Sequence, residues 1–299
     1  MVLAAVTYFV NLPMLRQTLT GLFCIALACT LQAQDSTLQV MTFNIRYDNP
    51  ADGENNWHLR KADMVASINM WQPAVLGIQE GLFHQVQFLD SALTQYAYVG
   101  VGRDDGKQAG EYSAIFYDTS KVTLIQDTTF WLSMAPEKPS TGWDAALPRI
   151  CTAAQFFTVG QQDTFWVFNT HFDHVGALAR EWSTRIIVYY ASELNPEFNY
   201  PMIIMGDFNS TPDDKPYQMM TESKVFEDTR LISYYDPTGP EITFNGFAML
   251  EALESPRIDY IFVYHFKTIA QSHILAIREG GLAWLSDHFP VSANLKFVH

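Results

Sequence analysis

Several strand-like runs in this chain follow one another too closely to lie parallel. Candidates at 38–45, 74–79, 112–118, 122–132, 149–159, 164–171, 201–207, 258–263 and 289–297 are rich in Val, Ile, Phe, Tyr and Thr. Gly, Asp, Asn or Pro bounds them, as strands require. A parallel pair needs a crossover of about a dozen residues or more. The joins within 112–132 and 149–171 are shorter, so those strands pair antiparallel. Helical spacing is confined to 58–71, to Leu82, Val86, Leu89 and Leu93, and to 177–194. The fold class expected is α/β (α+β), with two mixed sheets carrying helices outside, in one domain over 34–299.

Residues 1–33 read as an export signal. Arg16 is the only charge before Asp35, and the apolar run Leu19–Leu31 is short for a membrane span. Met14 offers an alternative start, and Leu31-Gln32-Ala33 a cleavage site; a buried N-terminal helix is the competing reading. Export to periplasm or medium is expected, and Ala26-Leu27-Ala28-Cys29 makes a poor lipid-anchor signal. Cleavage removes Cys24 and Cys29, leaving Cys151 in an apolar run that suits a core. With 18 Lys and Arg against 32 Asp and Glu, the net charge is -14. Nucleic-acid affinity rests on cations that neutralise phosphates, so a broad basic face for long DNA or RNA is excluded. A small or end-bound phosphate ester remains open, and a monomer is expected.

Several apolar strands end in polar residues. Met41-Thr42-Phe43 leads to Asn44, and the run Ala74–Ile78 to Gln79-Glu80. Met202–Gly206 leads to Asp207-Phe208-Asn209, where Asp207 and Asn209, two apart, share one face of an extended chain. Asp259 sits inside Arg257–Phe262, and Ser286-Asp287-His288 precedes the last strand. Each has a bland alternative, as turn former, cap or ion-pair member. Five strand termini of like chemistry point instead to one site, and carboxylate and amide oxygens suit Mg²⁺ or Mn²⁺. His171 and His174 follow the strand at 164–168, with no third His or paired Cys to make a zinc site. Glu111 is placed to orient His171, and Asp259 to orient His288, as carboxylates fix imidazole tautomers elsewhere.

The ordered set Asn44, Glu80, His171, Gly206-Asp207-Phe208-Asn209, Asp259 and Ser286-Asp287-His288 resembles the endonuclease/exonuclease/phosphatase superfamily. That superfamily includes deoxyribonuclease I, abasic-site endonucleases, bacterial sphingomyelinases, inositol-polyphosphate phosphatases and carbon catabolite repressor-type deadenylases. The resemblance runs from about Leu38 to the end and implies a DNase I-like four-layer sandwich, two mixed sheets face to face with helices outside. It implies Glu80 as principal metal ligand, with Asn44 and Asp287. Asp207 and Asn209 would orient water or phosphoryl oxygens, His171 beside Glu111 would donate to phosphate, and His288 paired with Asp259 would serve as base or donor. Met41–Asp48, Asp52-Gly53-Glu54-Asn55 and Trp57 with Arg60-Lys61 resemble a secreted bacterial branch near the deadenylases.

The activity this implies is metal-dependent hydrolysis of a phosphodiester, nuclease-like, with 3'-5' exonuclease action among the options. The alternative substrate is a small phosphorylated sugar, inositol or lipid head group. A binding module on an inactive hydrolase scaffold is the non-enzyme reading. Arg149, Trp143, Arg180 and Phe244 are the substrate-binding candidates: Arg149 through its planar fork, the aromatics by stacking. Trp57 and Trp284 are further aromatics expected near the site, and Arg185 shares the helix of Arg180. Gly102–Gly110 reads as a mobile loop beside it.

Overall fold

The computed structural model describes residues 37–222, 224–248, 256–279 and 283–299. The expected export signal lies outside them. Ser36–His299 packs as one unit. Its strands are β1 (Leu38–Asn44), β2 (Val75–Gln79), β3 (Tyr96–Val99), β4 (Ile115–Asp118), β5 (Val122–Trp131) and β6 (Ile150–Thr158). They continue with β7 (Thr164–His171), β8 (Met202–Asp207), β9 (Glu227–Asp228), β10 (Asp259–Tyr264), β11 (Phe266–His273) and β12 (Val291–Phe297). The helices are α1 (Trp57–Trp71), α2 (Phe83–Ala92), α3 (Ala177–Leu194) and α4 (Lys215–Glu222).

Two six-stranded sheets result, in the orders β11-β12-β1-β2-β4-β3 and β5-β6-β7-β8-β10-β9. Each is built on one parallel pair, β1 with β2 and β7 with β8, and the remaining pairings are antiparallel. Only those two pairs have a long helix, α1 or α3, between their strands, which is the crossover a parallel pair demands. Three apolar clusters define four layers. Val40, Val75, Phe156, Val167, Ile203 and Leu295 fill the space between the sheets. Met64, Ile68, Val86 and Leu89 seal α1 and α2 onto the first sheet, and Ile187, Ala191 and Met220 seal α3 and α4 onto the second. The architecture is the DNase I-like sandwich that the resemblance implied. Strands β2 and β8, buried along their whole length, read as unbroken apolar runs because both of their faces are covered.

A buried amide network crosses the apolar interface. Gln79 Nε2 donates to Asn169 Oδ1 of the opposite sheet at 2.6 Å and to Thr42 Oγ1 at 2.9 Å. Asn169 Nδ2 donates to the carbonyls of Ile78 and Ala114, both at 2.9 Å. Gly77 makes this approach possible, since a Cβ there would meet Asn169 Oδ1 at 2.6 Å.

Strands β3, β9 and β11 and helix α4 were not foreseen, and the run expected from 112 pairs as a strand only from Ile115. Strand β11 mixes polar and apolar residues and buries chiefly one face. Helix α4 opens Lys215-Pro216 behind Asp214, whose Oδ2 accepts from the N–H and Oγ1 of Thr211. Cys151 is a core residue, and burial raises its thiol well above the usual range.

His273, in β11, is buried and donates from Nδ1 to Pro240 O at 2.6 Å. Burial, aided by nearby Arg230, lowers its pKa from 6.5 to about 4 despite that bond. The unfolded chain therefore binds the proton first, and stability falls as pH drops from 6.5 towards 4. Taking His273→Asn from pH 7 to about pH 5 should cost roughly 2 kcal/mol less stability than in wild type, read by urea unfolding. Parallel losses in both proteins would contradict this.

Candidate active site

A parallel pair ends both strands on the same edge, and an antiparallel neighbour begins there. Asn44 ends β1, Glu80 follows β2, His171 ends β7 and Asp207 ends β8. Asp259 opens β10, in register with Asp207, and Asp287-His288 runs into β12. The two sheets therefore deliver these residues to one end of the sandwich, from three strands of each.

Asn44, fully buried, sits at the junction. Its Nδ2 donates to Glu80 Oε1 and to Asp207 Oδ2, both at 3.0 Å, and lies 3.5 Å from His288 Nε2. Glu80 takes a left-handed φ of 64°, and its Oε2 accepts from Tyr47 N at 3.1 Å. Such backbone strain in a non-glycine residue persists where surrounding bonds over-determine it. His288 Nδ1 donates to Asp259 Oδ2 at 2.9 Å, so the expected carboxylate–imidazole pair is formed. Asp207 Oδ2 stands 3.7 Å from His288 Nε2 and 3.5 Å from His171 Nε2. Burial works against a charged His288, but Asp259 and Asp207 prevail and raise its pKa. Burial, then Asp259, raises that of Asp207.

The second pairing is looser. Glu111 gives both carboxylate oxygens to Arg103, at 2.7 and 2.9 Å, and its Oε2 lies 3.9 Å from His171 Nδ1. A guanidinium fork fits a carboxylate in two bonds and wins it from an imidazole. His171 Nδ1 is left without a hydrogen-bond partner. Its Nε2 is engaged by Asn209, whose Nδ2 donates to it at 3.1 Å and to Phe172 O at 3.0 Å. Burial, then Arg149 and Arg103, holds His171 well below the usual histidine range, so it is neutral. Arg103 belongs to the Gly102–Gly110 stretch expected to be mobile. That stretch is closed by its own bonds, Gly102 N to Lys107 O and Asp104 N to Ala109 O, both at 3.0 Å.

A cleft of about 710 Å³ opens over this network. Besides Glu80, Glu111, His171, Asp207, Asn209, Asp287 and His288 it is lined by Arg46, Tyr47, Asp52, Leu147, Arg149, His174, Phe244, Phe247 and Ile258. Phe244 lies edge-on to the His288 ring, with centroids 5.1 Å apart. Arg149 lies in the cleft wall, buried, its Nε 3.2 Å from Asp173 Oδ2. Asp173 also accepts backbone N–H groups from Ala146, Leu147, Val175 and Gly176. Against the cost of burial, these bonds and Arg149 hold its carboxyl down at about 2.

Trp143 and Arg180 do not reach the cleft. Trp143 stacks on Trp182 of α3 with centroids 5.0 Å apart, because two flat apolar rings cover each other. Arg180 Nη1 donates to Asp173 O at 2.9 Å, tying the loop to its own helix. Trp57 is buried against Phe88, Trp284 lies edge-on to Phe289, and Arg185 lies over Trp182. Sequence reasoning gave no role to Arg46, Asp52, Arg103 or His174. Arg46 grips Asp52 through Nε and Nη2, at 2.9 and 3.0 Å, and its Nη1 lies 3.6 Å from Asp287 Oδ2.

The donor set fits a hard divalent cation. Asp207, Asp259 and His288 bring one potential ligand atom each within 4.8 Å of one another, and Asp259 Oδ1 is buried without a hydrogen-bond partner. Glu80 and Asp287 add further carboxylate charge close by; burial, then Glu80, raises the pKa of Asp287. Residues 41–288 match the model of the endonuclease/exonuclease/phosphatase family. The chain belongs to that family. Its members are phosphoester hydrolases, and this chain is an enzyme of that class.

A family protein from Bacteroides thetaiotaomicron is 34% identical, with a TM-score of 0.84 over 88% of this chain and 99% of that one. A mannosyl-6-phosphatase of the same species is 35% identical, with a TM-score of 0.82 over 87% of this chain and 100% of the other. The catalytic domain of human nocturnin shares the fold, at 18% identity and a TM-score of 0.68 over 88% of this chain and 94% of that one. Among curated proteins, an uncharacterized protein of Acanthamoeba polyphaga mimivirus is 29% identical over 106 residues, 34% of this chain and 37% of that one.

Proposed function

We propose that this enzyme is a Mg²⁺- or Mn²⁺-dependent phosphomonoesterase acting on a small phosphorylated sugar, exported from the cell by its N-terminal segment. The observation that carries this reading is the charge of the cleft. Its arginines, Arg46 and Arg149, are each held by a carboxylate, Asp52 or Asp173, and no lysine lines it among the described residues. A nucleic-acid strand calls for free cations along its backbone, whereas a cleft of about 710 Å³ suits a small molecule. The full-length likeness to a mannosyl-6-phosphatase supports the same choice. A phosphodiester is the second reading, supported by Phe244, which is 37% exposed and available to stack on a base.

In this reading Glu80, Asn44 and Asp287 would hold the metal, beside the Asp207, Asp259 and His288 group gathered at the same rim, and it would supply positive charge where the phosphoryl group accumulates negative charge. Asp207 and Asn209 position the attacking water; as its oxygen bonds to phosphorus the bond to the sugar oxygen breaks, Asp207 accepts the water's proton, and the sugar oxygen leaves with a proton drawn from solvent. His288, held by Asp259 through Nδ1, presents Nε2–H to the phosphoryl oxygens. Hydrolysis of p-nitrophenyl phosphate and a hexose 6-phosphate should exceed that of bis(p-nitrophenyl) phosphate with Mg²⁺ or Mn²⁺. EDTA should abolish all three. A preference for the diester would turn the reading to the nuclease-like alternative, and activity that survives EDTA would remove the metal from it.

A further inference from the structure

The guanidinium of Arg149 is divided among three directions. Nε donates to the Asp173 carboxylate, and Nη2 lies 3.0 Å from His174 Nδ1. Nη1 is buried with no hydrogen-bond partner, on a side chain only 4% exposed that lines the cleft. An arginine has donors and no acceptor. His174 Nδ1 must therefore offer its lone pair, which puts the proton of the neutral ring on Nε2. His174 is itself exposed and lines the cleft. His171, three residues earlier, cannot give the same service in its neutral form, because its Nε2 already accepts from Asn209.

We propose that Arg149 Nη1–H and His174 Nε2–H form a paired grip for phosphate oxygens on the His171 side of the cleft. The pairing is a binding site for the anion, and His174 is its exposed half. It rests on the phosphomonoesterase reading for the identity of the anion. A buried guanidinium N–H without a protein partner is costly unless a ligand completes it, and an oxyanion does so with charge-assisted bonds. Asp173 holds the guanidinium plane through Nε.

Two substitutions at His174 separate the grip from a merely structural contact. His174→Asn keeps an acceptor at the place of Nδ1 for Arg149 and removes the Nε2 donor. His174→Gln carries an amide N–H out to the place of Nε2. In the full-length protein with Mg²⁺, His174→Asn should raise KM for the monoester and the inhibition constant of inorganic phosphate together, each by about tenfold. kcat should change less, the melting temperature should stay put, and His174→Gln should recover most of the loss. An unchanged phosphate inhibition constant in an active His174→Asn protein overturns the grip. Should wild type hydrolyse no phosphoester with any metal, the substrate reading fails instead. Calorimetric titration of inorganic phosphate then decides the grip alone: weaker binding by His174→Asn supports it, and equal binding overturns it.

Discussion

Replacing His288 by alanine should cut kcat for the preferred phosphoester by about a thousandfold, the loss usual for a positioned proton donor or an oxyanion-stabilising group. Its imidazole is fixed through Nδ1 and by the ring of Phe244. Asp259 Oδ2 holds Nδ1 at 2.9 Å, and Phe244 lies edge-on to the imidazole with centroids 5.1 Å apart. The ring therefore needs no reorientation when charge develops on the phosphoryl oxygens. Alanine also leaves Asp207 and Asp259, both buried, without the cation between them, and folding must be controlled for. His288→Gln supplies that control, since its amide can still donate to a neighbouring oxygen while it cannot carry the positive charge. Both variants should keep a cooperative thermal transition, and both should be slow. Wild-type kcat in either folded variant would rule out His288 as the group that meets the developing charge.

Gly206→Ala should cost ~4 kcal/mol or more of stability. Gly206 lies in β8 with φ 146°, paired in register with Thr170 of the parallel neighbour β7. A Cβ there would stand 2.0 Å from Thr170 O, with Thr170 C at 2.9 Å and N at 3.0 Å. These are backbone atoms of a central ladder and cannot swing aside as a side-chain tip can. Relief would require β7 and β8 to part just where they carry His171 and Asp207. Thermal or urea unfolding measures the effect, and a variant within about 1 kcal/mol of wild type would show that the ladder yields. The glycine of Gly-Asp-Phe-Asn is thus a packing requirement that sets Asp207 in place.

Polar residues at the ends of apolar strands were legible because burial of such groups is costly without a purpose. Asn44, Glu80, Asp207, Asp259, Asp287 and His288 all come together as that logic implies. Contacts between loops were not legible. Arg103 takes Glu111 from across the Gly102–Gly110 turn, and Arg46 finds Asp52 only because the 3-10 turn Pro50–Asn55, which carries Asp52, folds back. Neither pairing has a period or spacing that a sequence displays. Trp143 shows the same limit: an aromatic in a loop beside a site looks alike whether it faces ligand or a neighbouring helix. Strand β11 escaped notice because it occupies a sheet edge, where polar residues are tolerated along one side.

The amide pair Gln79–Asn169 bears on how the two halves of the cleft keep their alignment. Greasy surfaces slide over one another at little cost, since apolar contact has no preferred direction. Amide bonds across the same surface are directional and leave donors unsatisfied if the sheets shift. Gln79 adjoins Glu80 in one sheet, and Asn169 stands two residues before His171 in the other. The network therefore acts as a dowel between two plates, set one or two residues beneath the catalytic rim. Small errors in sheet alignment would appear at the rim as misplaced ligands, so the pair sets the mechanical tolerance of the enzyme.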